Sequence, residues 1–144
     1  MSPRIFTMVI VINVISPLPV VNAIDPCVDA KTTIEMNQCI FDQVKAAEAE
    51  LKRYLEESRR RLAGDPKTLA ALEESQKAWL AFREAHCGAI YQYWREGTIR
   101  GSMEGNCLLD QTWRRTHDLW EAYLAFMDST QPVLPEPKID QKRR

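Results

Sequence analysis

The sequence predicts an all-α protein, a small antiparallel three-helix bundle stapled by two disulfides. Three observations carry this. Apolar residues recur at three- and four-residue steps in three separate stretches, with no period-two alternation of the kind that strands show. Short breaks separate those stretches, and helices joined by short connections pack antiparallel. Four cysteines follow an apolar N-terminal segment of export type, as expected of a small chain that cross-links its modest core.

That N-terminal segment, 1–23, reads as a signal peptide. Arg4 supplies the basic start, 5–15 the apolar run, and Val21-Asn22-Ala23 a small-residue cleavage site. Two prolines at 17 and 19 cut the apolar run short of a membrane span, so no anchor is expected after cleavage. No lipid-attachment motif precedes Cys27. The chain of 144 residues has a formal net charge of −1, which excludes a basic nucleic-acid binder. The expected mature domain is 24–128, and the expected location is periplasmic or secreted.

The first helix opens at Thr32-Thr33-Ile34-Glu35, a capping box with Thr32 as N-cap. Met36, Ile40, Val44, Ala47, Leu51, Tyr54, Leu55 and Leu62 then keep helical spacing. Glu48–Lys52, Glu56–Arg60 and Glu57–Arg61 place an acid four residues before a base, each adding a few tenths of a kcal/mol to a solvated face. Gly64-Asp65-Pro66 ends this helix and starts the next, which runs from 66 to about 94. Its core face is expected to pass through Leu69, Leu72, Gln76, Trp79 and Leu80, Arg83, Cys87 and Ile90. The three glycines of 95–106 predict a loop, and a third helix is expected over 107–127. The prolines at 132, 135 and 137 and the closing Lys142-Arg143-Arg144 predict a disordered tail over 129–144.

No catalytic, metal or cofactor site is expected. The cysteines show no C-x-x-C and no common zinc spacing. His86 adjoins Cys87, but neighbours on a helix point about 100° apart and form no nucleophilic couple. Glu56-Glu57 and Glu73-Glu74 are exposed neighbours, not a cleft pair of glycosidase type. Disulfides remain. Of three possible connectivities, Cys27–Cys39 would pin the lead onto the first helix and Cys87–Cys107 would close the glycine-bearing loop. Gln76 and Arg83 on an apolar face are expected to form a buried polar lock between helices, since a buried guanidinium needs acceptors. Tyr93 and Trp94 are the expected exposed anchors beside the loop, and Glu96 and Glu104 its acids.

Four stretches carry a resemblance: Cys27; T-T-I-E-M-N-Q-C at 32–39; Q-K-A-W-L-A-F-R-E-A-H-C at 76–87; and G-S-M-E-G-N-C at 101–107, followed by R-R-T at 114–116. In order and spacing the chain resembles the bacterial lysozyme-inhibitor LprI family, over nearly all of 27–126. The resemblance implies an exported helical protein without enzymatic activity that binds a protein partner, lysozyme, non-covalently and blocks its cleft. Lysozymes are cationic, so loop acids would steer the encounter, and Glu96, Arg100 and Glu104 are the expected contacts with Tyr93 and Trp94. The alternative is a periplasmic structural or immunity-type protein that binds another envelope protein or a toxin.

Overall fold

The computed structural model describes residues 27–138. The expected signal segment, 1–23, lies outside them. Helix α1 spans Thr33–Arg61, α2 Pro66–Tyr93 and α3 Arg100–Leu119, and α3 runs on into a π-helical turn at Trp120–Leu124. Among the described residues there is no strand, and the two disulfides pair Cys27 with Cys39 and Cys87 with Cys107. The all-α, disulfide-stapled bundle is therefore the architecture.

Local signals set the helix starts. The Glu35 amide donates to Thr32 Oγ1 at 3.1 Å, and the Thr32 amide donates to Glu35 Oε2 at 3.1 Å, which closes the capping box. At α2, Asp65 accepts from the Thr68 amide at 3.1 Å and from its hydroxyl at 2.6 Å, with Pro66 at the first helical position. These bonds hold the Asp65 carboxyl below the usual aspartate range.

Helix α3 packs on both of the others. It runs parallel to α1: Ser102 meets Asn37, Gly105 meets Ile40, and Leu109 joins Val44 and Ala47 in one apolar cluster. It runs antiparallel to α2, as Cys87–Cys107, Arg83–Thr112 and Gln76–Arg115 show in order. A second cluster of Leu51, Tyr54, Leu55, Leu72, Leu119 and Leu124 fills the far end. Burying six such side chains contributes on the order of 10 kcal/mol of gross transfer free energy.

Two sequence expectations are corrected. The region 95–106 is not one loop, because α3 begins at Arg100 and takes in 100–106. Gly101 and Gly105 are there for close approach, not for turning, and neither has positive φ. A Cβ on Gly105 would stand 2.5 Å from Ile40 Cγ2, and one on Gly101 would stand 2.9 Å from Asn37 Nδ2. Side chains of α1 lie directly on the α3 backbone.

The second correction concerns the tail. Residues 129–138 return along the bundle instead of hanging free, and 139–144 lie outside the described residues. The π-helical turn closes with the Ala125 amide donating to the Trp120 carbonyl at 2.8 Å, and the Val133 amide then donates to the Leu124 carbonyl at 2.8 Å. Tyr54 Oη donates to the Pro135 carbonyl at 2.6 Å and Trp120 Nε1 to the Leu134 carbonyl at 2.9 Å, while Leu134 packs on the far cluster. A proline-containing segment has few amides to satisfy, so it is held through its carbonyls.

Two glycines should respond oppositely to alanine. Gly105→Ala is expected to destabilise by about 1–3 kcal/mol in urea unfolding, through the collision with Ile40. Gly88→Ala, in mid-helix with nothing within 4 Å of its Cβ position, is expected to stabilise by about 0.5–1 kcal/mol. Tyr54→Phe should cost about 1–2 kcal/mol and speed proteolysis between 125 and 138, because it removes the strap's shortest side-chain hydrogen bond.

Candidate functional site

The residues singled out from sequence separate into a buried polar layer and an exposed end. In the layer, the Arg83 guanidinium donates to Thr112 Oγ1 at 2.8 Å and pairs with Glu48 at 2.9 Å, so it ties α2 to both other helices. It also lies over the Trp79 ring at 5.0 Å. Gln76 does not partner Arg83. Its Oε1 accepts from Arg115 Nε at 3.0 Å, and Arg115 Nη2 donates to the Ser75 hydroxyl at 3.0 Å.

Glu48 and Arg115 are the residues that sequence reasoning missed. Glu48 reads as an i,i+4 partner of Lys52, but Lys52 pairs with Glu56 at 3.8 Å and Glu48 crosses to Arg83. The signal for Arg115 was Arg114-Arg115-Thr116 itself. Thr116 is fully buried, so one arginine beside it must turn toward a neighbour. Burial pushes the Arg115 guanidinium below the usual arginine range, with Asp118 and Tyr123 acting against that shift. Among the described residues no buried side-chain nitrogen or oxygen lacks a partner.

The exposed end lies where α2 finishes and α3 starts, beside the first turn of α1. Both disulfides sit at this end, joining Cys39 of α1 to Cys27 and Cys87 of α2 to Cys107 of α3. The connection is short and tightly turned, with the Gly97 amide donating to the Trp94 carbonyl at 2.8 Å and the Arg95 amide to the Gln92 carbonyl at 3.2 Å. Tyr93 is 80% exposed and meets the Trp94 ring edge-on at 5.6 Å. Glu96, its side chain 88% exposed, pairs with Arg95 at 3.2 Å.

Arg100 and Glu104 belong to α3 rather than to a loop. Arg100 Nη1 donates to the Arg95 carbonyl at 3.2 Å, and its guanidinium lies 5.2 Å from the Tyr91 ring centroid. Glu104 is half-buried, and loss of hydration raises its carboxyl above the usual glutamate range. Thus Tyr93, Trp94, Glu96 and Arg100 share one end of the bundle, and Glu104 stands one turn into the helix. A shallow groove there runs between α1 and the connection, lined by Ile34, Asn37, Tyr91, Glu96 and Arg100. Ile34, 82% exposed in the first turn of α1, was not expected in this surface.

Among the described residues no group of three or more His, Cys, Asp or Glu is placed to hold a metal ion. Both histidines have ring neighbours: His86 stacks on Phe82 at 5.4 Å and His117 lies against Trp120 at 5.4 Å.

Glu104 yields a pH prediction. A carboxyl raised in the folded state binds more protons folded than unfolded, so its contribution to stability falls as pH rises through that window. Glu104→Gln should therefore raise the melting temperature at about pH 7 and leave it unchanged at about pH 3. Scanning calorimetry at the two pH values checks this, and an equal shift at both would overturn it.

Comparison with protein families matches residues 25–119 to the family described as lysozyme inhibitor LprI. No curated protein and no solved structure matches the chain. The matched span contains all four cysteines, the whole of α1, α2 and α3, the polar layer and the exposed end, and stops where the π-helical turn begins. On that extent of match, the chain belongs to the LprI lysozyme-inhibitor family.

Proposed function

We propose that this protein is a periplasmic or secreted inhibitor that binds lysozyme non-covalently and blocks its cleft, without enzymatic activity of its own. The observation that carries the reading is the family match over 25–119. Two disulfides and the family together mark an extracytoplasmic protein, and no described helix is long and apolar enough to cross a membrane. The export signal expected over 1–23 agrees with this and lies outside the described residues.

The exposed end is the contact surface of this reading. Tyr93 and Trp94 supply aromatic anchors on a helix end held by Cys87–Cys107. Glu96 projects an acid toward a cationic enzyme, and Arg100 stiffens the turn behind it by holding the Arg95 carbonyl. Glu104, half-buried in α3, contributes less of its charge to that encounter. Such an end loses little conformational entropy on docking, which favours affinity from a small contact.

Calorimetric titration of the oxidised protein with chicken-type lysozyme, alongside a muramidase assay, tests the reading. Binding at about 1 µM or tighter with matching loss of muramidase activity is the expected result. Glu96→Lys should weaken binding about 10-fold, mainly through a slower association that raised salt masks. Tyr93→Ala should weaken it by a similar factor through faster dissociation. Absence of heat and inhibition with chicken-, goose- and invertebrate-type lysozymes would refute the proposal.

A further inference from the structure

The exposed end holds an arginine that no described carboxylate answers. Six of the described arginines form ion pairs: Arg53, Arg59, Arg60, Arg83, Arg95 and Arg114. Arg61 lies over the Phe126 ring at 4.3 Å, and Arg115 is engaged by Gln76 and Ser75. Arg100 has neither an acid nor an amide. Among the described residues its one acceptor is the Arg95 carbonyl, which Nη1 reaches at 3.2 Å. Glu104, one turn further along α3, is raised by burial alone, so the Arg100 charge is not neutralised there.

The groove that Arg100 lines is rich in donors. Thr33 and Asn37 of α1, Tyr91 of α2 and Thr98 of the connection share its wall with the guanidinium. Asn37 Oδ1 already accepts from the Ser102 hydroxyl at 2.6 Å, which leaves the amide nitrogen as a donor against Gly101. The described lining holds one carboxylate, Glu96, and Arg95 pairs with it at 3.2 Å. A guanidinium flanked by amide and hydroxyl donors, with no acid of its own, suits a planar anion that accepts two parallel hydrogen bonds. The Tyr91 ring, 5.2 Å away, and the Arg95 carbonyl hold the guanidinium in place, so docking orders little more of it.

We infer that this groove is a carboxylate subsite, in which Arg100 takes a projecting carboxylate side chain of the bound lysozyme and Asn37 Nδ2 donates beside it. The inference rests on the lysozyme reading and adds the chemistry required on the partner's side. Glu96 and Arg100 then divide the encounter. The exposed acid meets the cationic surface of the enzyme at long range, and the arginine fork fixes orientation at contact. A groove that presents both signs of charge fits only a partner with the matching pair, which narrows the lysozymes it accepts.

Calorimetric titration of the oxidised full chain with two forms of chicken-type lysozyme tests this. One form is native; the other has its carboxyls amidated by carbodiimide and keeps its native circular dichroism. If acid steering alone governed the contact, amidation would make lysozyme more cationic and strengthen binding. The subsite predicts the reverse, with binding of the wild-type chain weakened about 30-fold by amidation. Arg100→Ala should weaken binding to native lysozyme about 30-fold, yet bind the amidated form within about 3-fold of wild type. Arg100→Lys, which keeps the charge and loses the fork, should recover part of that loss. Wild type that binds native lysozyme no more tightly than Arg100→Ala does would overturn the subsite and leave the inhibitor reading standing. Equal losses on both forms would also overturn it, since a merely structural role moves both. Wild type that binds neither form removes the inhibitor reading, and the subsite with it.

Discussion

The contact on which the rest depends is the seating of the Asn37 and Ile40 side chains of α1 on the α3 backbone at Gly101 and Gly105. Glycine is poor in a helix interior, costing about 1 kcal/mol relative to alanine, so two of them four residues apart need compensation. They find it in proximity. With no Cβ between the helices, Ser102 reaches Asn37 at 2.6 Å and Ile40 fills the space beside Gly105. That approach sets the depth of α3 in the bundle, and with it the position of Cys107 opposite Cys87 and of Thr112 opposite Arg83. Side chains at 101 and 105 would push α3 outward and strain both links.

The polar layer does a different job from the apolar clusters on either side of it. Apolar contacts are non-directional and would tolerate a one-turn slide of α2 along α3. Arg83 would not. Its guanidinium is held by Glu48 on one helix and Thr112 on the other, and a slide would leave a nearly buried cation without acceptors. Gln76 and Arg115 add a second fixed point two turns away. The layer specifies register, while the net stability comes from the leucine-rich clusters.

Much of this was legible in the sequence, and the failures have identifiable causes. The capping box at Thr32, the Asp65-Pro66 start and the apolar periods needed only local rules, and the helices begin there. Arg83 was legible as a group in need of acceptors, but not which ones, because Glu48 had an equally good local partner in Lys52. Gly101 and Gly105 were misread because a turn glycine and a close-packing glycine look alike until the neighbouring helix is known. The same limit applied to the tail. Prolines argue against regular structure, yet they say nothing about docking, which depended on Tyr54, some eighty residues earlier, and on Trp120. Ile34 escaped notice because its exposure follows from the turn of α1 and not from its own period.

The two ends of the bundle are constrained by different means, and this bears on where a partner could dock. The far end is closed by non-covalent contacts, as the strap lays Leu134 on the leucine cluster and takes hydrogen bonds from Tyr54 and Trp120. Those contacts can open locally with only a part of the global unfolding free energy. The other end is held by two disulfides and by the glycine contact, and the Cys87–Cys107 link ties α2 to α3 covalently. The contact surface proposed around Tyr93 and Glu96 would gain most from the second kind of constraint, since each rotamer or turn already fixed is ordering that binding need not supply. The covalent staples thus sit at the end where rigidity favours recognition, and the core, which needs only burial, is left to the leucines.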